Sequence, residues 1–143
     1  MRVDGACYCG RISFTAEVDP TKTVICHCAD CQVFSGSPFR AVVTAPIKTF
    51  QLRGEPKYFE KTADSGNKRR QAFCGECGSA LFGIAPENAT SVTLRLGCLK
   101  QRDQLVPTAE IWKRSQLGWL GRLGHLPESP DQRPPVAQSP ARP

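Results

Sequence analysis

Apolar and polar positions alternate along residues 11–18. Ile12, Phe14, Ala16 and Val18 fall on one side, and Arg11, Ser13, Thr15 and Glu17 on the other. A two-residue period marks a half-buried strand, and Asp19-Pro20 ends it. Residues 39–44 and 47–52 predict two more strands, separated by Ala45-Pro46. Gly54-Glu55-Pro56 predicts a turn before a short Tyr58-Phe59 strand, and Asp64-Ser65-Gly66-Asn67 predicts a loop. Residues 71–73 run into a Cys-x-x-Cys step. Residues 91–96 alternate again, with Val92, Leu94 and Leu96 on one side. Pro107 opens a last segment over 110–120, which carries Trp112 and Trp119 and reads as a strand followed by a short helix. No long helical period precedes it, and turn signals recur at short intervals. The expected architecture is mainly β, built from several short antiparallel sheets.

Composition sets the domain boundary. Six of the 12 prolines (Pro127, Pro130, Pro134, Pro135, Pro140 and Pro143) stand near the C-terminal end. That stretch has almost no apolar periodicity, so residues 121–143 are expected to be a disordered tail behind a domain spanning 1–120. No stretch is long and apolar enough to span a membrane, and the start of the chain lacks the apolar core of a signal peptide. The expected compartment is the cytoplasm.

The chemistry lies in the cysteines. Seven of the eight fall into three clusters: Cys7-Tyr8-Cys9, Cys26-His27-Cys28-Ala29-Asp30-Cys31 and Cys74-Gly75-Glu76-Cys77. In a reducing compartment such spacing favours metal over disulfides. Four thiolates complete a tetrahedral zinc, and three leave one position free. Cys7, Cys9, Cys74 and Cys77 are the candidates for the closed, structural site. Cys7 and Cys9, two apart, point the same way in an extended chain, and Gly78 suits the turn of a zinc knuckle. Cys26, Cys28 and Cys31 are the candidates for the open site. His27 alternates away from Cys26 and Cys28, so a place supporting the ligands from behind, or facing solvent, suits it better than ligation. Asp30 and Gln32 suit a turn or cap. Cys98 is the obvious fourth donor if the second site is closed instead; otherwise it is a small buried side chain.

The charge fits this reading. The formal +6 falls to about +3 once seven thiolates and two zinc ions are counted, too mild to argue for a polyanion. Nucleic acid is therefore not an expected partner. The one dense basic run, Lys68-Arg69-Arg70, suits a solvated loop or strand edge, with an anchor for the carboxylates of a small acidic ligand as the alternative. Arg40, Lys68 and Arg70 are the candidates for holding the carboxylates of a small ligand.

Three thiolates on a divalent ion donate electron density and weaken it as a Lewis acid. Water bound there is a poorer nucleophile source than on a three-histidine zinc, where its pKa is about 7. Holding another sulfur as a thiolate is the better fit.

Gly5-x-Cys7-x-Cys9-Gly10-x-x-x-Phe14, Cys26-His27-Cys28-x-x-Cys31, Ser35-Gly36-Ser37-Pro38-Phe39 and Phe73-Cys74-x-x-Cys77-Gly78-x-x-Leu81-Phe82, with Gly97, Pro107, Ile111-Trp112 and Trp119, resemble the glutathione-dependent formaldehyde-activating enzyme family. The likeness covers roughly residues 3–120. It implies an Mss4-like fold of several short coiled sheets clipped by zinc. It also implies structural zinc on Cys7, Cys9, Cys74 and Cys77, and catalytic zinc on Cys26, Cys28 and Cys31. The implied activity is that of a carbon–sulfur lyase joining glutathione to formaldehyde as S-(hydroxymethyl)glutathione. The alternative on the same fold is a non-catalytic zinc module that binds a protein or nucleic acid.

Overall fold

The computed structural model describes residues 1–63 and 66–131. Among the described residues ten strands follow one another: β1 Arg2–Ala6, β2 Ser13–Glu17, β3 Thr23–Cys26, β4 Arg40–Pro46, β5 Gln51–Arg53, β6 Lys57–Thr62, β7 Lys68–Phe73, β8 Ala80–Ile84, β9 Ser91–Arg95 and β10 Ala109–Ile111. One α-helix, α1 Ala29–Ser35, stands among the described residues. The strands form a three-stranded sheet, β1-β2-β5, and a seven-stranded sheet, β10-β3-β4-β9-β8-β7-β6. The mainly β, Mss4-like expectation holds.

The large sheet has two unlike faces, and its alternation decides both. Val43, Ala45, Ala72, Phe82, Val92 and Leu94 point to the small sheet, which answers with Val3, Phe14 and Ala16. Phe50 links the two, its ring 5.4 Å from Phe14 and 4.9 Å from Phe82. This is the hydrophobic core. The opposite face carries Arg40, Val42, Gln71, Gly83, Thr93 and Arg95. There α1 covers part of the sheet: Phe34 meets the ring of Phe59 on β6, and Asp30 pairs with Lys61.

Three local differences from the sequence reading have physical causes. β4 continues through Ala45-Pro46, because Pro46 ends the strand opposite Ser91 and its fixed φ suits an extended chain. The next strand shrinks to β5, since residues 47–49 turn back as a short 3-10 helix. The sheets are not wholly antiparallel: β10 lies parallel to β3. No hairpin joins β10 to β3, so nothing forces an antiparallel return. Thr108 fastens the pair, its amide donating to the Thr23 carbonyl and its hydroxyl to the Thr21 carbonyl.

α1 was not legible, being too short to show a period. Cys28 caps its N-terminus, Sγ accepting from the Cys31 amide, and Gly36 ends it in the left-handed conformation. Towards the C-terminus the 3-10 helix Gly118–His125 carries Trp119 and buried Leu120, and runs past position 120. Asp64 and Ser65 of the predicted loop, and 132–143 of the predicted tail, lie outside the described residues. No helix among the described residues is long and apolar enough to cross a membrane.

Candidate metal centres and the cleft beside them

Cys7 and Cys9 follow β1, and Cys74 and Cys77 sit in the turn from β7 to β8. Their convergence is made by two tight turns rather than by an extended Cys-x-Cys. The Gly10 amide donates to the Cys7 carbonyl at 3.0 Å, and the Gly78 amide to the Cys74 carbonyl at 2.9 Å. Gly78 has φ +72°, a conformation that side chains with a Cβ rarely adopt. The four sulfurs lie within 4.8 Å of one another. Cys7 and Cys9 are 3.5 Å apart, and Cys9 and Cys74 are 3.7 Å apart. A tetrahedral zinc with bonds of about 2.3 Å has sulfur–sulfur edges of about 3.8 Å, so this cage fits the ion. The Ile12 amide donates to Cys7 Sγ at 3.2 Å, offsetting thiolate charge as a metal cage requires. The Ser79 hydroxyl lies 3.2 Å from Cys77 Sγ and is the leading cause that pulls this thiol down to about 5.

The second cluster is built differently. Cys26 ends β3, Cys28 caps α1, and Cys31 lies in the helix's first turn. One strand end and one helix start thus aim three sulfurs at one point, again within 4.8 Å. Cys26 and Cys28 are 3.5 Å apart, so these three also fit a metal of this size. Contact with Cys31 is the main cause that lowers the Cys26 thiol to about 5, and the same contact pushes Cys31 up. Cys26 is buried, while Cys28 and Cys31 are half-buried beside a cleft of about 230 Å³.

The neighbours sort themselves plainly. His27 turns away from the cluster, as alternation required, but it is buried rather than solvent-facing. Its Nε2 is 3.0 Å from Glu110 Oε1, and Phe39 packs against its ring. Gln32 binds the loops together, donating to the carbonyls of His27 and Ser115. Asp30 stands in the cleft wall, 2.6 Å from Lys61 Nζ. Cys98 does not join either cluster. Its thiol donates to the Arg95 carbonyl at 3.0 Å, and burial raises its pKa to about 11.

Of the three basic candidates, only Arg40 reaches the cleft. It pairs across the ladder with Cys26 itself. Arg70 alternates to the other face, bonded to Glu60 and stacked over Tyr58, and Lys68 shares that parity on β7. Arg95 and Gln71 line the cleft and escaped the sequence reading. Arg95 lies on the polar side of an alternating strand, where an arginine reads as solvated. Only the cover supplied by the rest of the fold makes it buried. Arg40 and Arg95 also line a larger groove of about 640 Å³ that reaches Tyr8, Cys98 and Lys100.

The family model described as glutathione-dependent formaldehyde-activating enzyme matches residues 2–115. An uncharacterized lyase of Schizosaccharomyces pombe is 31% identical over 84 residues, covering 55% of each chain. The alignment thus spans about half the length of that curated relative. A crystal structure of a Rhodobacter sphaeroides protein superimposes with a TM-score of 0.57 at 18% identity, covering 75% of this chain and 98% of that one. That likeness speaks for the fold. The chain belongs to the glutathione-dependent formaldehyde-activating enzyme family.

Proposed function

We propose that this family member is a zinc-dependent carbon–sulfur lyase that joins a thiol, glutathione by the family's name, to formaldehyde at the three-cysteine cluster. The observation that carries the reading is the contrast between the clusters. Cys7, Cys9, Cys74 and Cys77 form a complete cage against the core, whereas Cys26, Cys28 and Cys31 stop at three and border a cleft. Cys98, the obvious donor for a fourth bond, is committed to the Arg95 carbonyl. Cys7, Cys9, Cys74 and Cys77 would hold one structural zinc, and Cys26, Cys28 and Cys31 the catalytic one. When bound there, zinc supplies a thiolate-seeking Lewis acid with one free position.

The chain's own residues do the rest. Cys26 and Cys28 keep the sulfur-binding point at the cleft wall, because a strand end and a helix cap fix them. The reaction forms one carbon–sulfur bond and opens the carbonyl π bond of formaldehyde. The proton leaves the thiol and ends on the new hydroxyl oxygen. Arg40 and Arg95 supply positive charge on the side where thiolate and alkoxide carry negative charge. The larger groove offers room for the remainder of a peptide-sized thiol.

The test is NMR exchange spectroscopy of formaldehyde with glutathione, with and without the zinc-loaded protein. Exchange between hydrated formaldehyde and the hydroxymethyl adduct should accelerate, and Cys28→Ser should abolish the acceleration. A rate equal to the spontaneous one would overturn the assignment.

A further inference from the structure

Two guanidinium groups are buried side by side on the cleft face. Arg40 is 6% exposed and Arg95 8%. Arg95 pairs with Val42 across the ladder, and Val42 stands two residues from Arg40, so both side chains rise from the same face. Their common partner is a neutral amide: Gln71 Oε1 accepts from Arg40 Nη1 at 3.3 Å and from Arg95 Nη2 at 2.5 Å. Among the described residues no carboxylate pairs with either arginine. Arg40 Nε is buried with no hydrogen-bond partner. A buried charge is normally paired, and each guanidinium offers five donors.

The backbone makes room for this pair. Gly83 faces Gln71 across the β7–β8 ladder. A Cβ at Gly83 would come within 2.9 Å of Arg95 Nη2 and 3.6 Å of Gln71 Oε1. The bare glycine lets Arg95 lie flat over β8 and reach Gln71. A stretched surface arginine needs no such accommodation.

The three cysteines do not use up this charge. Three thiolates around a divalent ion carry one net negative charge, against two guanidiniums. Asp30, the carboxylate in the cleft wall, is bound to Lys61. Arg69 also lines this cleft, so positive charge is left for a ligand even after a substrate thiolate is counted.

We propose that Arg40 and Arg95, steadied by Gln71 and admitted by Gly83, form a subsite for a carboxylate of the substrate beside the three-cysteine cluster. The subsite rests on the reading of that cluster as the thiol-binding point. A planar carboxylate matches the forked donors of two guanidiniums and can engage both. The carboxylate belongs either to the thiol or to the aldehyde.

Binding calorimetry on the zinc-loaded full chain separates these sources. One pair of probes is 3-mercaptopropionate against 2-mercaptoethanol; the other is glyoxylate against acetaldehyde. In at least one pair the carboxylate-bearing compound should bind about tenfold tighter or more, as a charge-assisted bond implies. The pair that shows the preference identifies its source. Arg95→Gln and Gly83→Ala should each cut the preference below about threefold. Gly83→Ala keeps both charges and displaces only Arg95, so it carries the test if Arg95→Gln does not fold. The inference is overturned if both pairs bind within about threefold in the wild type, or if the preference persists in a folded, zinc-loaded variant. A carboxylate preference without accelerated formaldehyde exchange keeps the subsite and loses the lyase reading. The converse loses the subsite alone.

Discussion

Replacing Cys74 by serine should cost far more than replacing Cys28, although each change removes one sulfur from a metal cage. The reason is what each cage ties together. Cys9 and Cys74 are separated by 65 residues, whereas Cys26 and Cys31 are five apart. Loop-closure entropy grows as three-halves RT times the logarithm of loop length. It amounts to about 4 kcal/mol for the long span and about 1.5 kcal/mol for the short one, before a constant common to both. Cys74 is also 1% exposed and belongs to the main core with Cys7, Leu81 and Phe82. A serine hydroxyl placed there adds about 1–3 kcal/mol of unsatisfied burial. The sum, about 5–7 kcal/mol, reaches the whole stability of an ordinary domain. Cys28 is half-buried at a helix cap, and its loss leaves the core untouched. Urea unfolding followed by circular dichroism, with zinc counted by mass spectrometry, reads both effects. Cys74→Ser should be unfolded or aggregated without urea. Cys28→Ser should keep a near-native midpoint and retain one zinc of two. A soluble Cys74→Ser protein carrying two zincs with an unchanged midpoint would refute the cage assignment. Collapse of Cys28→Ser as well would make the second site structural.

Two further outcomes are open to measurement. Cys98→Ala should leave two zincs per chain, because Cys98 Sγ is engaged with backbone carbonyls outside both clusters; a fall to one would make it a ligand after all. Glu110 should contribute stability on the acid side. Its carboxyl lies below its ordinary value, first through Lys113 and then through His27. A folded-state pKa lowered from 4.5 adds stability above that pH, and the contribution is lost as pH falls through the folded value. The melting temperature of Glu110→Gln should therefore fall below wild type near neutrality, and the gap should close in acid. A gap that widens in acid would contradict the assignment.

β2 and β9 were legible because burial on one face leaves a mark of period two, whereas β1, β3 and β8 were not placed from the sequence. Residues 11–18 and 91–96 show it, and β2 and β9 stand there. α1 left no mark, since seven residues make two turns and none of them is buried. β10 was placed as a strand, but its parallel partner β3 lies more than 80 residues away in sequence. Local pattern carries no information about such a pairing.

By itself the sequence determined which cysteines are near neighbours; the fold brought Cys7 and Cys9 to Cys74 and Cys77 across 65 residues. Cys-x-Cys and Cys-x-x-Cys spacing allows neighbouring thiols to reach one ion whatever the rest of the chain does. It also determined that four sulfurs and three sulfurs make unlike sites. Only the tertiary structure decided that Cys98 stays apart and that Arg40 reaches the cleft while Arg70 does not. It alone decided that Arg95 is buried beside Gln71. Each of these depends on which face of a paired strand is covered, and by what. A polar residue on an alternating strand looks the same in sequence whether it meets water or a cleft. The difference arises when distant segments, here α1 and the five-strand run from β3 to β7, close over it.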